Sequence, residues 1–125
     1  MCGISGVVAL DGALAPDFAR DLRAMNGAIA HRGPDGDGFY DCSFASFGHR
    51  RLSIIDRAGG HQPMANEDDS CWIVFNGEIY NHLELRAALG HPPWRGHSDT
   101  ETLLAAFSRW GVVEALPRLV GMFAI

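Results

Sequence analysis

The amino-acid sequence predicts one α+β domain, and three observations carry that expectation. The 125 residues suffice for one hydrophobic core but not for two. Apolar residues make up 47% and charged residues 20%, an ordinary globular balance, and no repeat, linker or low-complexity segment interrupts them. The patterned segments run strand, helix, strands, helices, strand, so that strands and helices fall into blocks.

Each element has a local reason. Ile4 to Leu10 is apolar, β-branched and flanked by glycine, which predicts a buried first strand with Cys2 at its mouth. From Pro16 to Ala30, Phe18, Leu22, Met25 and Ile29 recur at helical spacing, with Pro16 near the start. His31 to Gly38 is rich in turn formers and reads as a loop. Phe39–Tyr40 and Phe44 to Ile55 read as strands around a tight turn at Asp41 to Ser43, and Ala58 to Pro63 as a loop. Cys71 to Phe75 is a short apolar strand, and Asn76-Gly77 is a strong turn signal. Asn81 caps a helix reaching Leu89, with Glu84 in its first turn. Gly90 to Gly96 is broken by Pro and Gly. Ser98-Asp99-Thr100-Glu101 has the form of a capping box ahead of Leu103, Leu104 and Phe107, and Gly111 ends that helix. Val112 to Leu119 predicts a short helix disturbed by Pro117. Gly121 to Ile125 predicts a strand that is cut off.

Bulk chemistry removes several function classes. A net charge of −5 with scattered basic residues argues against a nucleic-acid or anionic-membrane partner. No apolar run approaches the roughly 20 residues of a membrane span, and no basic start with an apolar core marks a signal peptide. Cys2, Cys42 and Cys71 are an odd number without metal or redox spacing, which fits a reducing cytoplasm. Cys42 and Cys71 lie beside strand-like runs and are expected to be buried, inert thiols. The six histidines, His31, His49, His61, His82, His91 and His97, form no metal-ligand pattern. Asp35 and Asp37 stand between glycines without the carboxylate spacing of a calcium loop.

Cys2 is the candidate nucleophile. It follows Met1 directly, so removal of Met1 would give one residue both a thiol and a free α-amine. An α-amine titrates near about 8, close enough to neutrality to act as the base for its own thiol. A pairing of Cys2 with His49 is the other arrangement that supplies a base.

Five segments stand in order along the chain: Cys2-Gly3-Ile4, His31-Arg32-Gly33-Pro34-Asp35, Gly48-His49-Arg50-Arg51-Leu52-Ser53-Ile54-Ile55-Asp56, Asn76-Gly77-Glu78-Ile79-Tyr80-Asn81 and Gly96-His97-Ser98-Asp99-Thr100-Glu101. Together they resemble the class II glutamine amidotransferase domain of glutamine-dependent asparagine synthetases, over essentially residues 1–125. The resemblance implies the αββα sandwich of N-terminal-nucleophile hydrolases, built of mainly antiparallel sheets and here apparently truncated. It implies that Cys2 attacks the side-chain amide of L-glutamine and forms a thioester. Asn76 and Gly77 would form the oxyanion hole, where an Asn amide and a close-approaching backbone N–H converge on one oxygen. Arg51 would bind the α-carboxylate through its planar fork. Backbone of Leu52, Ser53, Ile54 and Ile55 would shape the pocket, and Glu78 and Asp99 would take the α-ammonium. Arg50, next on the strand, should point the other way as a solvated surface charge. His31, Arg32 and Asp35 are expected to build a loop bracing the active-site strand.

The resemblance also implies what lies elsewhere. The family's glutaminase domain continues beyond Ile125, where an aromatic residue usually stands. ATP and Mg²⁺ are expected only in a synthetase domain, in cis or in trans, that these residues do not contain. No cofactor or metal is therefore expected for this chain. An incomplete sheet leaves an open edge, which predicts a homodimer or marginal stability. Rival readings are a non-catalytic docking domain and an amidotransferase that acts on a sugar-acid carboxylate.

Overall fold

A computed structural model of the chain describes residues 2–53, 60–90 and 93–125. It is a mixed α/β structure with antiparallel sheets. β1 (Gly3–Val8), β2 (Gly36–Asp41) and β3 (Ala45–Arg51) form a three-stranded sheet with β3 in the centre. β4 (Met64–Ala65) pairs with β5 (Trp72–Ile73), and β6 (Asn76–Ile79) with β7 (Gly121–Ala124). The helices are α1 (Phe18–Ala28), α2 (His82–Leu89), α3 (Asp99–Trp110) and α4 (Val112–Ala115), with single 3₁₀ turns at Ala30–Arg32 and Leu116–Arg118. No helix among the described residues is long and apolar enough to cross a membrane.

The first sheet sorts its residues by alternation. Ile4 lies opposite His49 and Gly3 opposite Arg50, so Cys2, His49 and Arg51 share one face while Gly3, Ser5, Gly48 and Arg50 share the other. α1 covers the second face. Its inward residues are Leu22 and the fully buried Asn26, whereas Phe18 and Met25 stay more than a third exposed. The expected apolar stripe is thus only partly the contact face. Asn26 is drawn in by polar partners: its Nδ2 donates to the His49 carbonyl at 3.4 Å, and its own carbonyl accepts Arg50 Nε at 2.9 Å. Arg50 also pairs with Asp37 at 3.7 Å. The expectation of a solvated surface charge at Arg50 is therefore corrected.

The main core lies among α2, α3, α4 and the strands β5 and β6. Ile73, Phe75, Ile79, Leu85, Leu103, Leu104, Ala106, Phe107 and Ala115 form one buried cluster. α3 starts as expected, with the Glu101 N–H donating to Ser98 Oγ at 3.2 Å. The reciprocal half of the box is absent. The Glu101 carboxylate instead accepts the N–H groups of Arg95 and Gly96 and pairs with Arg86 at 3.1 Å. Arg86 further donates to Thr102 Oγ1 and to the Gly96 and Ser98 carbonyls, and it stacks over Trp94. Gly111 ends α3 at φ 80°, a left-handed conformation that favours glycine.

Several expectations change. Asn76-Gly77 is not a hairpin turn: both residues lie on β6, opposite Ala124 and Phe123. The partner strand comes from the far end of the sequence, so a local turn signal could not reveal it. Cys71 to Phe75 contributes only Trp72 and Ile73 as strand, and β3 stops at Arg51; Ile54 and Ile55 lie outside the described residues. β1 ends at Val8 rather than Leu10 and, at the edge of its sheet, is only partly buried; Val8 and, beyond the strand, Leu10 are exposed. Cys42 and Cys71 are half-buried rather than buried. Burial still pushes the Cys71 thiol up. Asn81 precedes α2 but makes no capping bond. Its Nδ2 donates to the Arg118 carbonyl and its Oδ1 accepts the Val120 N–H, both at 2.9 Å, so it pins the approach to β7.

Asn81→Ala should therefore loosen the chain end rather than α2. We expect a loss of about 1–2 kcal/mol, with faster amide exchange at Val120 and Tyr80 and unchanged exchange within α2. Faster exchange confined to α2 would restore the capping role.

Candidate active site

The face of the first sheet that carries Cys2 looks toward β6 and the start of α3. Between them lies a cavity of about 160 Å³ lined by Cys2, His49, Arg51, Leu52, Gly60, Gln62, Phe75, Asn76, Gly77, Glu78, Ser98, Asp99, Thr100 and Met122. Of the residues expected from the sequence, it brings together Cys2, Arg51, Leu52, Asn76, Gly77, Glu78 and Asp99. Ser53 does not line it; its N–H donates to Asp35 Oδ2 at 2.7 Å. Ile54 and Ile55 fall outside the described residues. Among the described residues, no group of three or more His, Cys, Asp or Glu is placed to hold a metal ion.

Cys2 is held by backbone. The Leu52 N–H donates to its Sγ at 3.3 Å, and the thiol reaches the Leu52 carbonyl at 3.6 Å. The loop after α1 braces the same strand ends. Arg32 Nε donates to the Cys2 carbonyl at 3.4 Å, and the Asp35 N–H donates to the Arg51 carbonyl at 3.0 Å. Arg51 is buried, 8% exposed, one sheet position from Cys2.

β6 supplies a backbone donor to the cavity. Its ladder with β7 continues at Tyr80, whose N–H donates to the Val120 carbonyl at 2.7 Å. In an antiparallel pair, alternate residues turn their N–H groups toward and away from the partner strand. Tyr80, Glu78 and Asn76 therefore face β7, and Ile79, Gly77 and Phe75 face the opposite edge. Two side chains are already bonded on that edge. The Ile79 N–H donates to Asp99 Oδ2 at 2.9 Å, and the Phe75 N–H donates to Gln62 Oε1 at 2.6 Å. The Gly77 N–H stands between these two, on the edge that carries Asp99 and Gln62, and Asn76 and Gly77 both line the cavity.

Asp99 is 8% exposed and also accepts the N–H of Thr100 at 2.9 Å. As the first residue of α3 it sits where a helix favours negative charge. Glu78 is more open and lines the same cavity.

Sequence reasoning missed Gln62 and Thr100. Gln62 lay in no motif and Thr100 only as a spacer within the capping box, and a carboxamide and a hydroxyl become informative only once their partners are known. His49 is the alternative base for the Cys2 thiol. It is 1% exposed, and its Nε2 has no hydrogen-bond partner among the described residues. Burial lowers its pKa to about 4; the nearby Phe75 carbonyl opposes this, and the Arg51 charge adds to it. A neutral imidazole of such low basicity is a poor general base at neutral pH.

Comparison with known proteins gives one consistent picture. The family model described as glutamine amidotransferase domain matches residues 1–125. Asparagine synthetase [glutamine-hydrolyzing] 1 of Bacillus subtilis (strain 168) is 46% identical over 127 residues, covering 99% of this chain and 20% of that protein. A second Bacillus subtilis protein of that name, numbered 2, is 36% identical and covers 100% of this chain and 17% of its own length. Asparagine synthetase [glutamine-hydrolyzing] 1 of Arabidopsis thaliana is 37% identical, covering 99% and 21%. The chain thus spans about a fifth of the length of these curated relatives.

The low basicity of His49 has a measurable consequence for stability. Its folded pKa lies below the unfolded value of about 6.5, so the unfolded chain binds the proton first as pH falls. The His49 contribution is complete above about pH 6.5 and is lost progressively down to about pH 4, at most about 3 kcal/mol. Urea unfolding across this range should show a flatter pH slope for His49→Asn than for the parent. Parallel slopes would mean that His49 titrates normally in the folded state.

Proposed function

The chain belongs to the glutamine amidotransferase domain family, and on that footing we propose that it hydrolyses the side-chain amide of L-glutamine to glutamate and ammonia. The observation that carries this reading is the single cavity shared by Cys2, Arg51, Asn76, Gly77, Glu78 and Asp99. It offers each charge of free glutamine a complement at one end and a nucleophile with hydrogen-bond donors at the other.

The chemistry follows from those groups. With Met1 removed, the α-amine of Cys2 takes the thiol proton, and the Leu52 N–H steadies the sulfur. The thiolate attacks the amide carbon. The negative oxygen that develops meets the Asn76 carboxamide and the Gly77 N–H, a donor pair whose removal typically costs about 10²–10³-fold in rate per donor. Protonation of the amide nitrogen by the Cys2 ammonium releases ammonia and leaves a glutamyl thioester. Water, deprotonated by the same amine, attacks the thioester, releases glutamate and restores the thiol. Arg51 holds the α-carboxylate, and Glu78 with Asp99 hold the α-ammonium. Carboxylates at that end favour a free amino acid over a peptide-bound glutamine. Leu52 forms part of the pocket wall.

The mixed α/β architecture with antiparallel sheets supports the αββα sandwich of N-terminal-nucleophile hydrolases as the complete fold. The relatives' printed name supports asparagine synthesis as the use of the ammonia. In that reading a synthetase domain, in cis or in trans, binds ATP and Mg²⁺ and activates aspartate. The hydrolysis assigned here calls on neither. A cytoplasmic setting suits free thiols and free glutamine, and a homodimer would cover the open edges of the short sheets.

The test is intact mass after exposure to a diazo-ketone analogue of glutamine. We expect loss of Met1 and one adduct on Cys2, with no adduct and background glutaminase activity in Cys2→Ala. Undiminished hydrolysis in Cys2→Ala, or an adduct at another residue, would overturn the mechanism.

A further inference from the structure

Gln62 makes two hydrogen bonds that no step above uses. Its Oε1 accepts the Phe75 N–H at 2.6 Å, and its Nε2 donates to Thr100 Oγ1 at 3.3 Å. Phe75 immediately precedes Asn76, and Thr100 immediately follows Asp99. Asp99 in turn accepts the Ile79 N–H. These bonds close a ring that runs from Phe75 through Gln62, Thr100 and Asp99 to Ile79 and back along β6, with Gly77 at the middle of the strand. The backbone of Gln62 is fixed as well. It crosses so close to Gly38 of β2 that a Cβ there would collide with the Gln62 carbonyl oxygen. Gln62 is thus where the first sheet, β6 and the start of α3 are tied together, and it lines the Cys2 cavity itself.

We propose that Gln62 is a positioning residue that fixes the Asn76–Gly77 donors at a set distance from the Asp99 carboxylate, and so gauges the length of the substrate. The proposal rests on the glutamine reading above. The two ends of the substrate site sit on different elements, the oxyanion donors on β6 and the ammonium partner on α3. Asp99 joins them at Ile79 and β7 holds the far edge of β6, but neither ties the Phe75 end of the cavity-facing edge to α3. The Gln62 carboxamide supplies the second joint, at Phe75. A carboxamide is the side chain for this because it offers an acceptor to an N–H and a donor to a hydroxyl at once. With both joints made, the Gly77 N–H cannot swing toward or away from the attacking sulfur. The gauge is then long enough for glutamine and mismatched to asparagine, which is one methylene shorter. One methylene in a fitted site discriminates by about 10–200-fold.

The experiment measures steady-state hydrolysis of glutamine and asparagine by the parent, Gln62→Met and Thr100→Val. Gln62→Met keeps the side-chain length and loses both bonds, whereas Thr100→Val loses only the second. We expect kcat for glutamine to fall about 10–100-fold in Gln62→Met, with KM changed less than about 3-fold, because the donors act mainly on the transition state. The kcat/KM preference for glutamine over asparagine should narrow about 10-fold. Thr100→Val should show the same pattern more weakly, and it decides the matter if Gln62→Met does not fold. Amide exchange at Phe75 should be slow in the parent and fast in Gln62→Met. A parallel loss for both substrates, a rise in KM alone, or a lowered Tm with unchanged kcat and selectivity would make Gln62 merely structural and overturn the proposal. A parent protein that neither binds nor hydrolyses glutamine would overturn the functional reading and this inference with it.

Discussion

The carboxylate of Asp99 is the contact on which the rest of the site depends. It is nearly excluded from water, yet it accepts N–H groups from two different elements, Ile79 on β6 and Thr100 in its own helix. A buried charge is tolerated only when it is paired or hydrogen-bonded. Here two backbone donors and the start of a twelve-residue helix supply that compensation. The same contact fixes how far β6 stands from α3. Buried Ile79 belongs to the same apolar cluster as Leu103, Leu104 and Phe107. The apolar core and the polar cavity are two sides of one joint.

Legibility in the sequence followed the range of the determining interaction. α3 was readable to the residue at its start because Ser98 and Glu101 act within one turn. Gly111 likewise marked its end by a conformational demand of its own. Asn76-Gly77 was misread as a turn because its strand partner lies more than forty positions away. Asn81 reads as a cap in the sequence because capping is what an Asn before a helix does locally. Its amide was captured by Arg118 and Val120, which no local pattern reveals. Arg86 gave no signal at all, yet it carries much of the hydrogen bonding around the start of α3.

The candidate site was legible in a different way. Resemblance put Arg51 beside Cys2, strand alternation then turned Arg50 to the other face, and the structure shows that division. Alternation could not say that Arg50 would be taken up by Asn26 and Asp37, because that depends on where α1 comes to rest. Resemblance supplied the charged and oxyanion residues. The neutral residues between them, Gln62 and Thr100, were invisible until their bonds were on the page. Residues that touch a substrate announce their chemistry by type; residues that hold those in place do so only by geometry.

The cavity draws on nearly the whole length of the chain, from Cys2 to Met122. During synthesis Cys2 emerges directly after Met1, and Met122 follows 120 positions later. At about 5–20 residues per second, the thiol spends roughly ten seconds without its pocket. Contacts of such wide sequence separation also form late in folding. A nascent chain therefore carries the Cys2 thiol without the groups that line its cavity in the folded protein. The cavity is complete only once β7 has been made, so a ribosome-bound chain that has not reached Met122 holds the thiol without its pocket.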